Sequence, residues 1–152
     1  MANQQHLELL RQGDADAWNT WRRSHPVLWP DLHGADLSGA DLRKYNLSGA
    51  DLSEANLHNA NLRTSDLIEA RFIGANLNNA DLSGANLLEA KLAFSDLRGA
   101  NLANADLTGA DLSGTNLTDA NVRGATLNWA QLDDALITDE QLRTVKSRLE
   151  ER

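Results

Sequence analysis

From Leu32 to Ile137 an apolar residue returns at every fifth position, 22 times in succession, with no insertion or deletion in the run. A fixed internal period of this kind constrains a fold more than composition does, because every unit must take the same shape. Two positions before the centre, Ala stands at 17 of the 21 places from Ala35 to Ala135; the exceptions are Tyr45, Ser65, Ser95 and Thr115. The centre is Leu except at Phe72, Val122 and Ile137, and the residue just before it is Asp nine times and Asn eight times. The two positions after the centre vary, with Gly frequent at the second.

A period of five matches neither the 3.6 of a helix nor the 2 of a strand, so neither element puts every Leu on one face. A coil that turns a corner every five residues does. The units Ala35-Asp36-Leu37-Ser38-Gly39, Ala50-Asp51-Leu52-Ser53-Glu54 and Ala110-Asp111-Leu112-Ser113-Gly114 carry the pattern in its plainest form. With them the tract resembles the pentapeptide repeat proteins, and a helical, Trp-containing leader ahead of it looks like their small cyanobacterial members. The resemblance implies an all-β solenoid, a right-handed quadrilateral β-helix of about five and a half coils. Each Leu then stacks on the Leu 20 places later, about 4.8 Å away, and the cylinder is roughly 26 Å long.

The ends depart from the pattern, as a solenoid requires if its first and last coils are not to leave apolar surface and open edges. Residues 1–29 read as an N-terminal helical cap. Short helices are predicted over 4–12 and 15–24, split by Gly13, with Leu7 and Leu10 on one stripe and Trp18 and Trp21 on the other. Pro26 and Pro30 bound a connector carrying Trp29, expected to pack where the chain enters the coil. Residues 30–137 form the repeat domain, and 138–152 a C-terminal helix. Thr138 opens a capping-box sequence, and Leu142, Val145 and Leu149 line one helical face, either as a lid on the last coil or as a dimer contact. Trp129, outward on the last coil, is expected to meet that helix.

The net charge of −8 is unevenly placed: residues 1–29 and 138–152 are balanced, whereas the repeat tract holds 15 acids against seven bases. One reading is structural, Asp alternating with Asn because a short polar side chain bonds backbone near a corner. The other follows from the resemblance, since some family members imitate DNA when they bind type II topoisomerases such as gyrase. Duplex DNA presents one charge per roughly 1.7 Å, about 15 over such a rod, so net charge alone makes a weak imitation.

Folding the chain every 20 residues singles out the departures from small outward residues. Ile68 falls beside Leu88, Glu69 beside Glu89, Arg71 beside Lys91, and Ile73 beside Ala93 with Phe94 next to it. Ile68, Glu69, Arg71, Ile73, Leu88, Glu89, Lys91 and Phe94 thus form a candidate protein-binding patch of mixed apolar and charged character. The same folding gives the column Asp31, Asp51, Arg71, Lys91, Asp111 and Gln131, in which ion pairs between rungs are expected at Asp51 with Arg71 and Lys91 with Asp111.

Catalysis finds little support. His6, His25, His33 and His58 are scattered, Cys is absent, and repetition gives no single Asp or Ser a distinctive environment. No catalytic residue, cofactor or metal is expected. The negative surface disfavours direct nucleic-acid binding, and the sequence holds neither a signal-type leader nor an apolar membrane span. The expectation is therefore a cytoplasmic, non-enzymatic scaffold with an unidentified protein partner. A monomer is expected, a dimer through the C-terminal helix being the alternative.

Overall fold

The computed structural model describes residues 1–149. Between Asp31 and Leu136 the residue preceding each centre forms a parallel bridge to the residue 20 places later, as in Asp31 to Asp51, Asp36 to Asn56, Asp41 to Asn61 and Asn46 to Asp66. Four bridges fall in each 20 residues, so the chain turns through four sides and returns to its own register one rung further on. Side one is centred on Leu32, Leu52, Phe72, Leu92, Leu112 and Leu132; side two begins at Leu37, side three at Leu42 and side four at Leu47.

Three hydrogen bonds per side tie rung to rung, one of them from the corner residue, as from the Gly84 N–H to the Ala103 carbonyl at 2.9 Å. The Leu82 N–H donates to the Asn101 carbonyl at 2.7 Å, and the Asp81 N–H donates back to the Ala60 carbonyl at 2.9 Å. Each corner is closed by a bond within the rung, such as the Ala85 N–H to the Leu82 carbonyl at 3.0 Å. That tight turn drives the residue between them into the left-handed region. The φ is 65° at Gly84, and the same conformation recurs at Thr64, Glu69, Phe94 and Trp129, where a side chain bears its cost of roughly 1–2 kcal/mol.

The Asp and Asn residues have a local task. All nine Asp and all eight Asn before the centres accept, through Oδ1, the backbone N–H two residues on, as Asp36 does from Ser38 at 3.1 Å and Asn101 from Ala103 at 3.1 Å. The corner thus explains their recurrence. Inside, the Leu and Ala columns are buried, Leu52, Leu62, Leu82 and Leu92 completely. Burying each Leu contributes about 1.5–3 kcal/mol relative to exposure, so stability is spread along the stack.

The first rung has no predecessor, and side chains of the cap stand in for one. Helix α1 (Gln4–Arg11) starts at Asn3, whose side chain accepts from the Gln5 and His6 N–H groups; α2 (Ala15–Ser24) starts likewise at Asp14, after the left-handed Gly13. His6 Nδ1 accepts the Asp31 N–H at 3.0 Å, Asn19 Oδ1 accepts the Asn46 N–H at 2.8 Å, and the fully buried Trp18 indole donates to the Asn46 carbonyl at 2.8 Å. Each satisfies a backbone group that an open edge would strand. Arg22, buried although the helical pattern singles out only Trp18 and Trp21, donates from Nη2 to the Ser48 carbonyl at 2.8 Å and from Nη1 to the Leu28 carbonyl.

At the far end the structure differs from the sequence expectation. Helix α3 covers only Asp139–Thr144, with the expected capping box between Thr138 and Gln141. Gln141 Nε2 then donates to the Leu117 and Ala120 carbonyls at 2.7 and 3.0 Å. From Val145 the chain is extended and lies along side four: Lys146 N–H to the Ala125 carbonyl, Leu127 N–H to Ser147, and Trp129 N–H to Leu149. The last rung offers unpaired backbone groups there, and an extended tail satisfies them where a further helical turn does not. Leu149 is consequently exposed rather than part of a helical stripe, and Trp129 meets this tail rather than the helix. Residues 150–152 of the expected helix lie outside the described residues.

Candidate protein-docking surface

The observed register brings all eight patch residues onto two adjoining sides and two adjoining rungs. Ile68 and Glu69 with Leu88 and Glu89 occupy side four; Arg71 and Ile73 with Lys91 and Phe94 occupy side one. The Glu69 N–H donates to the Leu88 carbonyl at 2.9 Å, the Phe72 N–H donates to the Lys91 carbonyl at 2.6 Å, and Arg71 bridges Lys91. Ile68, Ile73 and Leu88 are half-buried, lying against their neighbours on the wall. Glu69, Arg71, Glu89 and Lys91 are exposed, and Phe94 stands out at 73% exposure. Ala93 is buried, so the apolar ground around Phe94 is narrower than the 20-residue folding suggests.

The ion pairs expected between rungs are not made. Among the described residues the pairs within 4 Å are Arg43 with Asp41, Arg98 with Asp96, and His33 with Glu54. The two Arg pairs lie within a single repeat, the base after the Leu reaching the acid before it, at 2.6 and 2.7 Å. Side-chain hydrogen bonds from Arg43 and Arg98 hold the Asp41 and Asp96 carboxyls below their ordinary range. Arg71 and Lys91 stand in the acid's own place, and the residues two further on are Ile73 and Ala93. Neither of those can serve as the second charge of a pair. At Asp51 burial works upward, but hydrogen bonding from Ser53 and the Arg71 and His33 charges outweigh it, and the carboxyl ends below its ordinary value.

Charge also differs from wall to wall. Side four carries Asp66, Glu69, Glu89 and Asp106 with no base in its repeats; side three carries Arg43, Lys44, Arg63 and Arg123 against Asp41 and Asp81. Side one holds six acids against Arg71 and Lys91. The acidic excess therefore faces one way, which a net charge does not reveal.

Sequence reasoning missed one feature beside the patch. Trp29 does not enter the core; it is 67% exposed, with its indole laid over Gly49, where a Cβ would come within 3.2 Å of the ring. Trp29 and Gly49 are 20 residues apart, the one signal that could have located the contact. Around Trp29 opens a cleft of about 360 Å³ lined by Arg22, Pro26, Ser48, Asp66, Ile68 and Glu69. A second cleft, about 650 Å³, lies between α3 and the last rung. Among the described residues no cluster of three or more His, Asp or Glu could hold a metal, and no helix is long and apolar enough to cross a membrane.

A family profile described as pentapeptide repeats, in eight copies, matches residues 31–67, 65–104 and 95–139. No curated protein matches the chain. Among solved structures, a pentapeptide repeat protein of the Arabidopsis thaliana thylakoid lumen is 33% identical, with 73% of this chain and 70% of that one covered and a TM-score of 0.51. The pentapeptide repeat protein Rfr23 of the cyanobacterium Cyanothece 51142 is 28% identical over 88% of this chain and 97% of its own, with a TM-score of 0.57. QnrB1, a plasmid-mediated fluoroquinolone resistance protein, is 22% identical over 76% and 63% respectively, with a TM-score of 0.64, a likeness of fold. Pentapeptide repeat proteins form right-handed quadrilateral β-helices, and four bridged sides per 20 residues are the corresponding feature here. With a profile spanning most of its length and its register confirmed rung by rung, this chain belongs to the pentapeptide repeat family.

Proposed function

We propose that this protein is a non-catalytic scaffold, a right-handed helix of about five and a half coils, that docks a protein partner through the patch on sides four and one. The observation that carries the reading is Phe94. A large apolar side chain that rests on Gly114 yet stays 73% exposed on a left-handed corner recovers little burial for its backbone cost, and beside it Arg71 and Lys91 have no ion pair within 4 Å among the described residues. Aromatic and Arg side chains are the groups that anchor protein interfaces. Changing Ile68, Leu88 and Phe94 together to Ser abolishes partner capture and leaves melting nearly unchanged, since none of the three belongs to the Leu columns. Capture unaltered by the triple change removes the patch from consideration.

A second reading, imitation of DNA toward a type II topoisomerase, is favoured by the concentration of acids on sides four and one. A gyrase supercoiling assay at tens of micromolar tests it. Neither inhibition nor protection of the enzyme ends it.

A further inference from the structure

We propose that the cleft beside Trp29 receives the cationic side chain of a basic peptide segment lying lengthwise on side four. The inference rests on the docking reading above and carries the docking surface to its N-terminal end. Four observations converge on this occupant. The corner column between sides four and one runs Trp29, Gly49, Glu69, Glu89, Gly109, Trp129, two carboxylates between two exposed indoles. From one indole to the other is five rungs, about 24 Å, the length of roughly seven extended residues. Between the two indoles the repeats of side four carry acids and no base, with the half-buried Ile68 and Leu88 between the acids, and the basic Lys146 and Arg148 of the tail lie one rung beyond Trp129.

Within the cleft the carboxylates and the indole are complementary to a cation. Glu69 is exposed and Asp66 half-buried, with one Asp66 oxygen engaged by the Ile68 N–H at 3.2 Å. The Trp29 ring supplies the π-face on which a guanidinium or ammonium rests. It is fixed in place by Gly49 beneath it and by Pro26 and Pro30 on either side in sequence. Arg22, which also lines the cleft, is only 6% exposed, its guanidinium turned to the Ser48 and Leu28 carbonyls.

The test is a titration of the full chain, labelled with nitrogen-15, with a seven-residue peptide of alternating Arg and Ala. The Trp29 indole signal, identified by its loss in Trp29→Leu, is expected to shift and saturate, while that of the buried Trp18 stays in place. Glu69→Gln, at an exposed site, is expected to weaken binding about fivefold without moving the melting temperature. A peptide of alternating Glu and Ala is expected to leave the Trp29 signal unmoved. A Trp29 signal unmoved by the Arg peptide, equal affinity in Glu69→Gln, or an equal response to the Glu peptide overturns the inference. If these fail while partner capture still depends on Ile68, Leu88 and Phe94, the cleft is wrong and the docking surface stands; if capture also ignores the triple change, both fall.

Discussion

The phenyl ring of Phe94 lies over the α-carbon of Gly114 one rung on, so that a Cβ at position 114 would stand 2.6 Å from Phe94 Cδ1. The relationship recurs at the corners. Trp29 covers Gly49, Thr64 covers Gly84, Asn79 covers Gly99, Glu89 covers Gly109 and Asn104 covers Gly124. At these corners a side chain on one rung leans onto the next, and the glycine beneath both lacks a Cβ and takes a left-handed φ. Glycine therefore answers two demands at these corners, and the two can be separated.

Gly39 has a φ of 66° and nothing within 4 Å of where a methyl group would stand, whereas Gly114 has nearly the same φ and the Phe94 ring above it. Gly39→Ala is expected to cost about 1 kcal/mol for the backbone alone. Gly114→Ala is expected to cost about 1–3 kcal/mol more, from overpacking against the ring. Adding Phe94→Ala to Gly114→Ala should bring the loss back near that of Gly39→Ala. Urea unfolding of the native chain and these three variants measures all the differences; an unrelieved loss in the double variant shows that the backbone, not the ring, is responsible.

Two serines replace Ala in the inner column, and the structure gives them different fates. Ser65 Oγ donates to the Leu62 carbonyl at 2.6 Å, whereas the equally buried Ser95 Oγ has no partner among the described residues. Ser95→Ala removes an unsatisfied buried hydroxyl and is expected to stabilise by about 1 kcal/mol. Ser65→Ala removes a satisfied one and is expected to be neutral or to cost up to about 1 kcal/mol. A rise in melting temperature for Ser95→Ala, with none for Ser65→Ala, checks the pair.

The N-terminal cap carries a dependence on pH. His6 accepts the Asp31 N–H through Nδ1, which requires that nitrogen to be unprotonated, and its ring lies 5.2 Å from that of Trp21. Burial holds the imidazole below its ordinary value; Asp31 pulls it up and Arg22 adds to the lowering. As pH falls the unfolded chain therefore takes up the proton first. His6 contributes its full stability above about pH 6.5 and loses it as pH falls through the lowered folded value. Asp41 and Asp96, also held low, give up their contribution only below about pH 4. Unfolding at pH 7.5 and 5.5 should differ in the native chain, and His6→Asn should narrow the difference.

The sequence alone placed the corners and the inward positions, because a period of five without a break leaves no freedom in which residue points inward; the eight patch residues were grouped by the 20-residue folding that the resemblance implies. It did not establish the number of sides: five residues mark one corner, and four corners per turn came from the family resemblance until the bridges from Asp31 to Asp51 and its companions showed them. Arg71 and Lys91 illustrate a second limit. Their neighbours in the column are Asp51 and Asp111, but a column fixes Cα register and not where a long side chain ends, and the Arg pairs of these walls form within a repeat instead. The tail shows a third. Leu142, Val145 and Leu149 have helical spacing, and only the open edge at Ala125, Leu127 and Trp129 explains why Val145 leaves the helix.

That edge supports a last prediction. Residues 145–149 close side four of the final rung by giving Leu127 and Trp129 carbonyl partners and by donating from Lys146 to Ala125. A chain ending at Thr144 keeps every Leu column and all of α3, but exposes a row of unpaired backbone groups beside the half-exposed Trp129 ring. An exposed edge of this kind is a template for pairing with another chain. The shortened protein should therefore retain its circular dichroism and associate as concentration rises, seen as an increase in mass by light scattering that the full chain does not show at the same concentration. Restoring residues 145–149 with Lys146→Pro should not reverse the association fully, because proline removes the N–H that donates to the Ala125 carbonyl. A shortened chain that stays monomeric at all concentrations means that α3 alone shields the rung, and the tail then has no protective part.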